Sequence, residues 1–269
     1  MEPSHTTSAA RPLLCALMLV VVCAGAPFAF PRPGTVAVAQ SAVAQSAVAQ
    51  SAVAQSAVVR VPILVYHAVD DSGITWSVSP AQLDAQCRWL VDQGYTAISV
   101  RRFWRAARGL AELPPKPIIL TNDDGGPSAL TFARILDRHG LSGVYFVNTV
   151  SPLTPRQIRA LARWGEVEAH TVSHVALSGL DFPHQVEEIA RNAVYLEGIT
   201  GQPVRFLAWP YGDANESATQ AAVESGIVAA FGLGGGPANP AALDPYYVSR
   251  ITIYRADDLT TFAAKVMGP

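Results

Sequence analysis

The sequence predicts an α/β protein in which a parallel sheet is joined by helical crossovers. Short apolar, β-rich runs alternate with segments whose apolar residues recur at helical spacing. Several of those helical segments carry capping residues at their ends. The placement of polar residues points the same way. The ends of the β-rich runs present, in order, His67, Asn122-Asp123-Asp124, Asn148, His170 and Pro210-Tyr211. Parallel sheets place their working side chains at the carboxyl ends of their strands.

The folding unit is residues 61–269, because the first 60 residues have a different character. No charged side chain occurs from Pro12 to Pro31, and Leu13 to Ala26 is almost wholly apolar after the single positive charge of Arg11. This layout predicts a secretory signal peptide, or else an N-terminal anchor, over residues 1–39. Ala37 and Ala39 offer a cleavage point before Gln40, Ala24 to Ala26 competes with it, and Pro27 interrupts the apolar run early for a membrane span. Either way the domain is expected outside the cytoplasm, secreted, periplasmic or at the cell surface, touching a membrane only through this segment if it is uncleaved. Over residues 40–60 the unit Ser-Ala-Val-Ala-Gln recurs from Ser41, Ser46, Ser51 and Ser56. A five-residue period suits neither helix nor strand, so a tether is expected.

Within the domain the strand candidates are Val61 to Tyr66, Thr96 to Val100, Ile118 to Thr121, Gly143 to Val147, Val167 to Ala169, Val204 to Ala208, Ile227 to Phe231 and Val248 to Tyr254. One helix opens at Ser79-Pro80 and stops at Gly94, and another opens near Pro127 and stops at Gly140, each bounded by cap signals. A third, Gln185 to Gly198, sets Val186, Ile189, Ala190 and Ala193 on one side and pairs Glu187 with Arg191. Cys87 shares an apolar helix face with Leu83, Leu90 and Val91. The other two cysteines, Cys15 and Cys23, lie in the leader, so Cys87 is expected to be a buried thiol without a disulfide partner.

Composition narrows the function. The chain has 269 residues, 50% of them hydrophobic and 15% charged, with a formal net charge of −2. This is a globular composition without the broad basic field that a nucleic-acid partner requires. Asp123-Asp124 at the mouth of an apolar strand places two carboxylates side by side, which repel unless a cation neutralises one. Alone, Asp-Asp-Gly also suits a turn or a helix cap. His170-Thr171-Val172-Ser173-His174 spaces two imidazoles one helical turn apart, close enough to share an ion. Two histidines with one carboxylate form a recurrent catalytic metal set that leaves a position for water. Trp209-Pro210-Tyr211-Gly212 reads either as packing or as a fixed turn that aims the Tyr211 N–H at a developing oxyanion.

These motifs together resemble the polysaccharide deacetylase family, carbohydrate esterase family 4 or the NodB homology domain, from Val61 to about Met267. Thr121-Asn122-Asp123-Asp124-Gly125 is similar to its T-F-D-D-G motif and His170 to His174 to its H-[ST]-x-x-H motif. Pro62-Ile63-Leu64-Val65-Tyr66-His67 and Trp209 to Gly212 add to the likeness. The resemblance implies a distorted (β/α) barrel of about seven strands and metal-dependent removal of acetyl from an acetylated glycan. It makes Asp123 the base and Asp124, His170 and His174 the ligands of a divalent ion, usually zinc, with cobalt or nickel as alternatives. An N-acetylated polysaccharide such as poly-N-acetylglucosamine, peptidoglycan or a chitin-like chain is the implied partner. An acetyl-xylan-type esterase and an inactive glycan-binding module are the alternatives.

Three departures from the family stand out. Asn122 replaces Phe next to the base: if it substitutes for packing, Asn122→Phe preserves or raises activity, and if it hydrogen-bonds to Asp123 or the substrate, that change impairs kcat. Ala208 stands where many members carry an Arg that orients the base, as in the branch acting on poly-N-acetylglucosamine. The C-terminal Leu-x-His acid is missing. Of His67, His139 and His184, only His67 follows a strand into the expected site, which makes it the candidate general acid.

Overall fold

The computed structural model describes residues 59–268. The leader over 1–39, its two cysteines and nearly all of the 40–60 repeat lie outside the described residues. Among the described residues no helix is long and apolar enough to cross a membrane.

The chain begins with strand β1 (Ile63–Tyr66), the short strands β2 (Ala68–Val69) and β3 (Ser77–Val78), and helix α1 (Pro80–Asp92). Strand β4 (Thr96–Ala97), helix α2 (Val100–Ala107), β5 (Pro117–Asn122), α3 (Ala129–Arg138) and β6 (Gly143–Val147) follow. Then come α4 (Pro155–Trp164), β7 (Gly165–Ala169), α5 (Phe182–Thr200), β8 (Phe206–Ala208), α6 (Glu216–Glu224), β9 (Ala229–Phe231), β10 (Ile251–Thr252) and α7 (Leu259–Met267). Cap chemistry sets many of the helix starts. Ser79, Ser99, Asp181, Asn215 and Asp258 each accept a backbone N–H from the first turn, and Thr154 with Gln157 completes a capping box.

Seven parallel strands run in the order β10-β1-β5-β6-β7-β8-β9, and β4 adds to the start of β5. Bridges from Phe231 to Val248 and from Gly234 to Arg250 bring the end of β9 to the residues entering β10, so the sheet curls back on itself. This is the expected distorted (β/α) barrel. Alternation along each strand divides the core in two. Leu64, Tyr66, Ile118, Leu120, Tyr145, Val147 and Ala169 face the helices. Ile63, Ile119, Val144, Phe146, Phe206, Ala208 and Phe231 fill the barrel interior.

Several expectations shift. The run Thr96 to Val100 is strand only through Ala97, because Ser99 accepts the Arg102 N–H and turns Val100 and Phe103 into the buried face of a helix. Val248 to Tyr254 narrows to Ile251–Thr252, since the preceding residues bridge to the β9 side instead. Helices α2, α4, α6 and α7 have no counterpart in the sequence reading. Cys87 is buried beside Leu83 and Leu90 as expected, whereas Val91 is exposed.

Candidate active site

The parity that divides the core also aims the site. Asp123 continues the Ile119, Thr121 face of β5 into the interior, and His67 continues that of Ile63 and Val65. Together with Asp124, His170, His174, Tyr211 and Arg250 they line a single cleft of about 1300 Å³ at the carboxyl end of the barrel. All six residues expected at the site are therefore brought together. His139 and His184 are elsewhere: each pairs with an aspartate, Asp84 and Asp181 respectively, and neither lines the cleft.

Asp124, His170 and His174 each present a donor atom within 4.8 Å of the others. The two histidines do not share the helical turn that their spacing suggests. The segment after His170 is irregular, and Thr171 and His174 have φ of 65° and 56°. Asp124 at 72° and Tyr211 at 60° complete the set of non-glycine left-handed residues among those described, and all four lie at or beside this site. Such conformations persist only where the surroundings impose them. Helix α5 does so here. Asn192 accepts the His170 N–H at 2.9 Å, and Glu188 accepts the Val172 and Ser173 N–H groups at 3.0 and 2.8 Å. Gly125 needs its φ of 65°, and an added Cβ there would meet Val147 Cγ1 at 2.7 Å.

The donor chemistry fits a cation. His170 Nδ1 lies 2.8 Å from the Ala208 carbonyl, which can only accept, so Nδ1 carries the proton and Nε2 is left with a lone pair. Nε2 then faces Asp124 Oδ1 at 3.2 Å, acceptor against acceptor, unless a proton or a metal lies between them. His174 Nε2 reaches the same oxygen at 3.1 Å. A tetrahedral ion with bonds of ~2 Å separates its ligands by about 3.3 Å, close to both distances. Burial pushes Asp124 upward, but its bonds to the two imidazoles outweigh this and hold the carboxyl well below its usual range. The bond to Asp124 raises His174 in turn.

Asp123 is held differently. Arg250 Nη1 and Nη2 donate to its two oxygens at 2.8 and 2.7 Å, with both residues almost fully buried. Burial pushes the Asp123 carboxyl up, yet the Arg250 charge and hydrogen bonds bring it below the ordinary value. Arg250 itself is fixed by the Gly232 carbonyl, Thr121 Oγ1 and the Phe146 ring. The guanidinium absent at position 208 is thus supplied from beside β10. Nothing local in the sequence assigns Arg250 this role; its one signal is a lone Arg preceding an apolar strand.

Asn122 contacts neither Asp123 nor the cleft. Its parity is that of the helix-facing side, where Nδ2 donates to the His67 carbonyl at 2.7 Å and the Tyr66 carbonyl at 3.3 Å. This overturns the packing expectation, because the amide ties β5 to the exit of β1 and so fixes the backbone of His67. The His67 ring has a buried Nδ1 without a protein partner, and burial lowers its pKa although Asp123 and Asp124 pull upward. The Tyr211 ring is exposed and meets His174 edge-on at 4.8 Å, whereas Trp209 is buried and donates to the Tyr246 carbonyl, a packing role.

Residues 111–230 match the model of the family described as polysaccharide deacetylase. The chain is 27% identical over 174 residues to YxkH of Bacillus subtilis (strain 168), covering 62% of each protein. It is 27% identical over 255 residues to the poly-beta-1,6-N-acetyl-D-glucosamine N-deacetylase of Escherichia coli (strain K12), covering 75% of this chain but 38% of that one. The chain therefore spans less than two thirds of either relative. In fold it is similar to the Streptococcus pyogenes deacetylase PplD, solved with acetate, at a TM-score of 0.73 and 24% identity over 79% of this chain and all of that one. The matched segment contains Asp123, Asp124, His170, His174 and Tyr211 but neither His67 nor Arg250. With the barrel and the Asp-His-His group in place, the chain is similar over residues 111–230 to the polysaccharide deacetylase family.

Proposed function

We propose that the chain is a hydrolase that removes acetyl groups from an N-acetylated polysaccharide outside the cytoplasm, using a divalent cation, most simply zinc, held by Asp124, His170 and His174. The observation that carries this reading is the convergence of those three donors beside a separate, ion-paired carboxylate, Asp123, in one cleft. Such a cation supplies Lewis acidity, acidifying water and polarising an acetyl carbonyl.

The chain's own residues divide the remaining work. Asp123 is the base that takes a proton from the attacking water. A carboxylate offers about four lone-pair sites, so the two donors from Arg250 leave others free. Arg250 keeps the base ionised and fixes its plane. The Tyr211 N–H, on a residue that lines the cleft, donates to the developing oxyanion. His67 gives a proton to the departing amine nitrogen, a poor leaving group unless protonated. Apolar Leu13 to Ala26 in the leader supports export, and the poly-N-acetylglucosamine deacetylase among the relatives supports an N-acetylglucosamine polymer as the substrate class.

The test is acetate release from defined N-acetylated and O-acetylated oligosaccharides by wild-type protein, Asp123→Asn and His67→Asn. Wild type should release acetate, preferring amides, and both variants should fall by about 10²-fold or more. His67→Asn should lose more on amides than on activated esters. Wild-type protein inactive on every amide, or His67→Asn with full amide turnover, would respectively remove the reaction or the assignment of the acid.

A further inference from the structure

Outward from His67, the cleft has a wall that the proposed reaction does not use. The His67 ring lies 5.9 Å from the Trp76 ring, Trp76 lies 5.7 Å from Tyr254, and Lys265 Nζ stands 4.8 Å from the Tyr254 ring. All four residues line the cleft, so an aromatic row leads outward from His67. Trp76 is 51% exposed and Ile74 on the same turn 53%. A single exposed apolar side chain is unremarkable in itself. This one differs because it is flanked on both sides and its loop is fixed.

The fixation is visible bond by bond. Asp70 Oδ1 accepts the Ser72 N–H at 2.9 Å and the Ser77 hydroxyl at 2.7 Å. The Ile74 carbonyl accepts the Ser77 N–H at 3.0 Å, and the Thr75 carbonyl accepts the Arg255 N–H at 3.0 Å. The turn is therefore tied both to itself and to the segment after β10, and the indole is presented with little conformational freedom to lose on binding. The cleft volume exceeds the ~300–1,000 Å³ of most small-molecule pockets, which leaves room for more than one ring. A pyranose offers one face of C–H bonds and a rim of hydroxyls, matching a flat indole beside carboxylates and backbone carbonyls.

We propose that Trp76 is the stacking platform of a sugar subsite adjoining the acetyl-bearing residue on the His67 side, so that the substrate is engaged through at least two consecutive pyranose rings. The subsite rests on the deacetylase reading for the identity of its ligand. Its occupant is the neighbouring residue of the same polysaccharide chain, with Tyr254 continuing the surface.

The experiment compares N-acetylglucosamine oligomers of one to five residues, in β-1,4 and β-1,6 series, with wild type, Trp76→Ala and Trp76→Phe. In wild type, kcat/KM should rise with chain length in one series, mainly through KM. Trp76→Ala should reduce the pentamer-to-monomer ratio of kcat/KM about tenfold, and Trp76→Phe should restore most of it. An unchanged ratio would overturn the subsite: with neither rate altered Trp76 would not touch the substrate, and with both reduced equally it would act only through His67. Calorimetric binding of the pentamer separates this from the reaction itself. If wild type releases no acetate yet binds the pentamer through Trp76, the deacetylase reading fails and the subsite stands. Binding that is indifferent to Trp76→Ala while acetate is released gives the reverse.

Discussion

Replacing Arg250 by Met tests the architecture of the site without reference to turnover. The guanidinium is fully buried and makes two bonds of 2.7 and 2.8 Å to Asp123, itself 2% exposed. Methionine keeps much of the aliphatic volume but leaves a carboxylate in the barrel interior with no counter-charge. Removing one partner of a buried pair costs about 3–5 kcal/mol, because the surviving charge is desolvated without compensation. For a domain of this size that corresponds to a fall in Tm of roughly 6–20 °C. The double variant Arg250→Met/Asp123→Asn should recover part of the loss, since a neutral amide carries no charge to desolvate, giving a coupling energy of about 1–3 kcal/mol. Urea denaturation of the four proteins of the cycle, all treated with chelator so that cation binding does not contribute, measures both quantities. Arg250→Lys should rescue little, because an ammonium cannot reproduce the bidentate contact. If Arg250→Met stays within about 1 kcal/mol of wild type, or the cycle is additive, the ion pair does not hold Asp123 as described.

Three other outcomes follow from the geometry. Asn122→Phe should lower kcat and cost about 1–3 kcal/mol in stability, since it strips the His67 carbonyl of its donor and crowds a fully buried position; wild-type melting and turnover would show that the amide does not position His67. Purified protein should hold about one equivalent of divalent metal. Asp124→Ala and His174→Ala should lose it and Asp123→Asn should keep it, as elemental analysis would show; loss of the metal in Asp123→Asn with retention in Asp124→Asn would reverse the two aspartate roles. Burial first, then the nearby Asp84 charge, pushes the Cys87 thiol up to about 12. At pH 8 native protein should therefore react with a thiol reagent at least ~10³-fold more slowly than denatured protein. The unfolded chain releases this proton near the ordinary value while the folded chain retains it, so the Cys87 contribution to stability is complete below the ordinary cysteine pKa and declines as pH rises towards 12. Comparable reaction rates in the two states would contradict the burial.

Much of the site was legible in the sequence because its signals are local. The continuous apolar run Ile118 to Leu120, the Ser79-Pro80 cap and the sequence Asp123-Asp124-Gly125 each depend on a few adjacent residues, and so do the ends of the strands where polar residues collect. Alternation even sends Asp123 and His67 to the same interior, since the parity of a strand continues one residue past its end. What the tertiary structure decided are contacts between distant segments. Arg250 and Asp123 are separated by 127 positions, and nothing in the neighbourhood of either names the other. The partner of Asn122 depends on the register of β1 against β5, which pairs Tyr66 with Asn122 and brings the His67 carbonyl within reach. The His170 to His174 segment shows the limit most clearly. Its spacing suggested a helical turn, but Asn192 and Glu188 on α5 impose a left-handed path that still delivers both imidazoles to Asp124. Spacing constrained which side chains can meet, whereas hydrogen bonds from another element determined the backbone that makes them meet.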